Sequence, residues 1–306
     1  MQKYILLLLF FWSFSVSAVT NYQGYKTTPN EVYAQLYIIN EEIKILKQFF
    51  QITTQIKPSK VSMELYPRHM WHKTYEVLMK INLLREKNGL PYIAVSSREP
   101  RKNPPPIIVY EQILRILTEL KIMKYALDIP SIEITEKKFI NIKVVDSFNF
   151  ISNISAELDL LLGKAITPSF VFAQTMRISE DIHTILDALD ITNTTIPPPK
   201  NKKATSTESY NTAEHLMTEI LRIQRVTGVE SINFALLRPE NKKIKPSNVF
   251  AMTGVILAEL QTIKAHLGLK YALTPVAERY TDMQPPHVEQ VLGWCVRKIQ
   301  LIDSIN

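Results

Sequence analysis

Hydrophobic residues fall on one helical register four times along this chain. Each copy carries a proline, a valine and an aromatic residue: Pro29/Val32/Tyr33, Pro106/Val109/Tyr110, Pro168/Val171/Phe172 and Pro246/Val249/Phe250. Counted from each valine, apolar side chains return at offsets 7, 11, 14 and 18. The first copy reads Ile39, Ile43, Leu46, Phe50; the second Ile116, Leu120, Met123, Leu127. The third reads Ile178, Ile182, Ile185, Leu189, and the fourth Ile256, Leu260, Ile263, Leu267. At about 100° per residue these offsets stay within roughly 40° of one line, the seam of a buried helix face.

Weaker helical patterns sit between the four: Pro67 to Leu84, about Lys138 to Gly163, Glu208 to Gly228, and Pro285 to Ile302. The last aligns well, through Val288, Cys295, Ile299 and Ile302. The third aligns through Tyr210, Met217 and Leu221 but then meets polar Gln224. The pattern predicts an all-α fold of eight main helices, arranged as four two-helix repeats. Pro29 and Pro168 are 139 residues apart, and Pro106 and Pro246 are 140 apart. The repeats therefore form two similar four-helix halves, 19–163 and 164–306. Gly163 to Thr167 is the shortest join and predicts that the fourth and fifth helices are close neighbours. The other connections are long and partly apolar, as in Leu90-Pro91-Tyr92-Ile93, and are expected to pack across the helices. The polar, basic stretch 196–207 is expected to be the most mobile internal segment.

Composition adds a location. Lys3, the apolar run Ile5 to Phe14 and the small residues Val16-Ser17-Ala18 have the layout of a secretory signal peptide, 1–18, cleaved near Ala18. The run is too short to span a bilayer, which needs about 20 apolar residues. The expectation is an exported protein, periplasmic or secreted, with no integral membrane span. Loss of Lys3 takes the formal net charge from +7 to +6. The basic excess gathers between helices, at Arg98, Arg101 and Lys102, at Lys200, Lys202 and Lys203, and at Lys242, Lys243 and Lys245. Such loops suit an anionic envelope component, but they lack the interleaved aromatics of a nucleic-acid site. Cys295, the only cysteine, falls on a seam position and reads as a buried apolar side chain.

The polar residues name no reaction. An acidic residue stands ten positions past each signature valine: Glu42, Glu119, Asp181 and Glu259. That offset lies about 80° from the seam, a boundary position for lining a groove or pairing with another helix. The expected partners are Lys80 for Glu42 and Lys298 for Glu259. His69 and His72, three apart at the start of a helix, suit two ligands of a divalent metal, with Glu76 or Glu64 as the nearest third. His287 stands at the position equivalent to His69, which argues for helix-start hydrogen bonding instead. There is no nucleophile elbow and no phosphate-cradling glycine loop. No cofactor is predicted. The leading expectation is a non-enzymatic helical-repeat protein that binds a protein partner or an anionic envelope surface. A small-molecule sensor or carrier is the alternative, and a metal-dependent enzyme at His69 and His72 the third.

Overall fold

The helices begin and end on repeated local signals, which is why their lengths agree. In a computed structural model that describes residues 27–58, 61–62, 64–95, 104–163, 166–229, 231–233 and 243–302, all regular structure is helical. The helices are α1 Pro29–Phe49, α2 Pro67–Lys87, α3 Pro106–Ala126, α4 Val144–Leu162, α5 Pro168–Ala188, α6 Ser206–Val226, α7 Pro246–His266 and α8 Pro285–Gln300. The leader and the basic residues Arg98, Arg101, Lys102 and Lys242 lie outside the described residues.

At six starts, a side chain two residues past the first helical position accepts the N–H of the residue before the helix. The acceptors are Glu31, His69, Asp146, Glu208, Asn248 and His287. Each satisfies one of the donors that a helix start leaves without an internal partner. At the other end, α1 to α7 each run into a residue in the left-handed region, such as Gly89, Asp128 or Gly268. In all of these but α4, an apolar residue follows and folds back onto the last turn, as in Leu90 N–H to the Arg85 carbonyl and Ile129 N–H to that of Lys124. This helix-ending signal fixes the register of α6: counted from Ser206, its buried seam is Leu216, Ile220 and Ile223. The alignment through Tyr210 is one residue out. The second weak helix starts at Val144 rather than near Lys138, because Lys143 is extended and Asp146 caps there.

Each half is a ring of four packed helices. In the first, α1 and α2 each pack against α3 and α4; in the second, α5 and α6 each pack against α7 and α8. The first ring is all parallel. Pro29, Pro67, Pro106 and Val144, the four helix starts, meet around one apolar cavity of about 30 Å³. Near the other end, Lys87 of α2 donates to the Leu161 and Leu162 carbonyls of α4, and Lys47 of α1 pairs with Glu157 of α4 at 2.6 Å. The second ring shows the same levels: Ser209 reaches the Pro285 carbonyl at the starts of α6 and α8, and Arg222 reaches that of Ile302 near their ends.

Parallel packing explains the long connections. A helix of 21 residues is about 31 Å long, and the chain must retrace that length before the next parallel helix can start. The stretch 196–207 does so along α8: Ile196 and Pro198 carbonyls accept from Arg297 and Gln290, and the Trp294 indole donates to Thr195. Its first residues, through Pro198, are thus bonded to α8. The short Gly163–Thr167 join cannot make such a return, so α5 starts where α4 ends and does not pack along it. The halves instead meet through α2 and α7. Their buried apolar side chains form one continuous cluster.

Candidate functional site

The contact between the halves gathers most of the chain's unusual polar residues into one buried seam. From the first half, the opening turns of α2 supply Arg68, His69 and His72, and one turn later Tyr75. From the second come Arg177 and Asp181 of α5, Gln224 of α6, and Glu259, Gln261 and Lys264 of α7. All are buried.

Glu259 is the centre of one cluster. Its Oε1 accepts from His69 Nε2 at 2.7 Å and from Arg68 Nε at 2.9 Å. Its Oε2 accepts from Gln224 Nε2 at 2.8 Å. Burial would push this carboxyl up, but the His69 hydrogen bond and the Arg68 bond and charge outweigh it and hold it at about 2. The other ring nitrogen of His69, Nδ1, accepts the Tyr66 N–H at 3.0 Å. These two bonds select the neutral tautomer with the proton on Nε2. Burial lowers the pKa of His69 despite Glu259, and lowers that of His72 further, with Arg177 adding to the effect.

A second cluster centres on Asp181. Lys264 lies 2.5 Å from its Oδ1, while Thr274 at 2.6 Å and Gln261 at 3.1 Å donate to its Oδ2. Burial raises the Asp181 pKa, with the Lys264 charge opposing. Arg177 donates to the Pro275 carbonyl at 2.7 Å and stacks 4.3 Å from the centre of the Tyr75 ring, so a cation of one half covers an aromatic ring of the other. Tyr75 also accepts the Ala277 N–H.

The structure thus places His69 with Glu259 and sets His72 and Asp181 in the same seam. Glu42 and Glu119 stay inside the first half. There Glu42 pairs with Lys124 at 2.5 Å, both buried, and Glu119 with Arg85 at 3.1 Å. The partners expected from sequence are replaced. Lys80 turns to Ser155 and Asp159 of α4, and Lys298 to Ser179 of α5 and its own Trp294. The acidic positions are also more deeply buried than boundary positions should be, since Glu42 is 3% and Asp181 and Glu259 are 0% exposed. A cue for the real partner was present: lysine stands fifteen past the signature valine in three copies, at Lys47, Lys124 and Lys264. Arg68, Arg177 and Tyr75 had no such repeat and became visible only when the halves met.

For a metal, the geometry offers little. His69 spends both ring nitrogens on Glu259 and Tyr66, and Glu76 is engaged with Lys73 and Ser155. Glu64 is exposed. Among the described residues, no group of three or more His, Cys, Asp or Glu side chains could hold an ion. Cys295 is fully buried, and burial pushes its thiol to about 12. Compared with protein-family models, curated proteins and solved structures, the chain matches none significantly.

Proposed function

We propose that this chain is an exported, non-enzymatic helical protein whose role is to bind another protein. The observation that carries the reading is the contrast between the seam and its rim. Inside, acid, base and cation are hydrogen-bonded to one another and closed to solvent, so a substrate has no approach to them. Outside, where the α2–α3 and α7–α8 connections meet beside the Glu86–Arg279 ion pair, apolar side chains face water. Tyr92, Leu273 and Val276 are each about half exposed. Clustered apolar side chains at the junction of two units are a common form of docking surface. The apolar cavity at the helix starts, at about 30 Å³, is a tenth or less of a typical metabolite site.

Capture from envelope extracts by the chain beginning at Val19, beside a Tyr92→Ser/Leu273→Ser/Val276→Ser variant, tests this. A protein retained by the parent and lost by the variant supports the reading. Retention of anionic vesicles through Lys200, Lys202 and Lys203 instead, or a small molecule that raises Tm with no protein bound, would replace it. Export itself is checked by the mature N-terminus, expected at Val19.

A further inference from the structure

The seam joins two units that each hold a buried ion pair of their own. Glu42 pairs with Lys124 inside the first ring and Asp181 with Lys264 inside the second, and neither pair crosses between the halves. Across the seam run the contacts of α2: Arg68 and His69 with Glu259, Tyr75 with Arg177 and the Ala277 N–H, and Glu86 with Arg279. A single pair of helices, α2 and α7, makes the main helix contact there, so the boundary can open while each ring stays packed.

His72 stands at this boundary with no acceptor of its own. Among the described residues neither of its ring nitrogens is hydrogen-bonded; the ring packs edge-on against Trp71 and is 7% exposed, within reach of a proton from water. The second half faces it with Arg177 and Asp181 of α5 and with Glu259 and Lys264 of α7. Both carboxylates are spent, Glu259 on Arg68, His69 and Gln224, and Asp181 on Lys264, Thr274 and Gln261. Arg177, bonded to Gln174 and to the Pro275 carbonyl, opposes a charge on His72 from across the seam. On its own helix Arg68 and His69 lie one turn before it, and Glu76, one turn after, is bound by Lys73, Lys80 and Ser155. The charges that α3 and α4 set against α2 lie further along, in the pairs Glu119–Arg85 and Asp159–Lys80. His69 resists a proton in another way, since one on Nδ1 would expel the Tyr66 N–H at the start of α2.

We propose that the seam is an acid-opened joint: protonation of His69 and His72 parts the two halves, each remaining a folded four-helix ring, with the chain between α4 and α5 as tether. Opening returns both imidazoles to water, where they take up protons near 6.5, whereas burial lowers both pKa values in the closed form. The closed form is therefore favoured above pH 6.5 and loses ground below it. The loss is at most about tenfold per pH unit for each histidine, about a hundredfold for the two.

Nitroxide labels on Thr118→Cys of α3 and Thr218→Cys of α6, one exposed site on each half, read the joint, and buried Cys295 stays unlabelled. Between pH 7.5 and 5, pulsed electron resonance should show the inter-label distances lengthening and spreading while the helical circular-dichroism signal holds. His72→Gln, which keeps the His69–Glu259 bond, should reduce the limiting dependence from about a hundredfold to about tenfold per pH unit. His69→Gln/His72→Gln should abolish it. Distances unchanged down to pH 5 in the parent, loss of helix content together with the distance change, or equal opening in the parent and the double variant would each overturn the proposal. The parent and His72→Gln curves decide the matter even where the double variant does not fold. No partner enters the measurement, so capture at the Tyr92, Leu273 and Val276 rim is scored independently.

Discussion

Helices α3 and α7 are the same element in two settings. Both start with proline, both run 21 residues, and both present their seam to α1 or α5. Both also carry an inner ion pair at matching positions: Lys124 with Glu42, and Lys264 with Asp181, each at 2.5 Å. They part company on the outer face. There α7 is covered by α2, and Glu259 is enclosed by Arg68, His69 and Gln224. On α3 the matching Glu119 has Arg85 and a side chain 13% exposed. The lesson is that the inward-facing chemistry repeats between the two helices, while the outward chemistry depends on what each one meets.

The largest predicted effect separates the two carboxylates. Glu259→Ala leaves Arg68 buried without its carboxylate and should cost about 3–5 kcal/mol in urea unfolding. Glu119→Ala, on the partly exposed copy, should cost clearly less; equal costs would erase the distinction between the faces. The inner pairs should behave alike instead. Lys264→Met and Lys124→Met each strand a buried carboxylate and should each cost about 3–5 kcal/mol.

Acid should act mainly on the seam. His69 and His72 have folded-state pKa values below 6.5, whereas the unfolded chain takes up protons near 6.5. Stability from keeping them neutral is therefore present above pH 6.5 and lost as the pH falls below it. Each imidazole steepens the loss by at most about 1.4 kcal/mol per pH unit. The charged groups around them are Arg68, Arg177 and Lys264 with the carboxylates Glu259 and Asp181, and the Arg68 and Arg177 charges add to the penalty. Glu259 and Glu76, both held at about 2, add a further loss as pH falls through 4.5 towards 2. Asp181, with a raised pKa, works in the opposite direction. Unfolding curves from pH 7.5 to 5 should flatten in His69→Gln/His72→Gln; an unchanged slope would place the acid sensitivity elsewhere.

Within the repeated core, Ile182→Ala and its counterpart Ile43→Ala remove side chains at 0–1% exposure and should each cost about 2–5 kcal/mol. A difference between them reports how far each half relaxes around a cavity. Smallest of all is Leu114→Ser/Ile122→Ser/Tyr125→Ser on the exposed outer face of α3, which should shift stability by little, about 0.5 kcal/mol or less per site, since no core contact is removed.

Much of this was legible along the chain. The seam offsets, the first-turn prolines and the 139–140 residue spacing specify eight helices in two similar halves, because amphipathic periodicity records which face a helix buries. The repeated acid at offset ten and lysine at offset fifteen even hold the inner ion pairs, although the lysines at Lys80 and Lys298 were the more obvious partners. Local sequence also carried the role of His69 at a helix start, through its likeness to His287. Which helices lie side by side was not legible. Periodicity gives the direction of a helix's buried face but not the identity of the helix opposite, nor whether neighbours run parallel. That choice belongs to packing between residues far apart in sequence, and it turned long loops into return paths and a short join into an end-to-end step. The seam itself follows from it: His69 and Glu259 are 190 residues apart, and no pattern along the chain marks them as partners. The sequence by itself determined the helices and their inner faces, since those rest on local hydrogen bonds and a period of 3.6. Only the tertiary structure decided that α2 covers α7 while α3 stays in water, because burial of an outer face depends on which surface arrives to cover it.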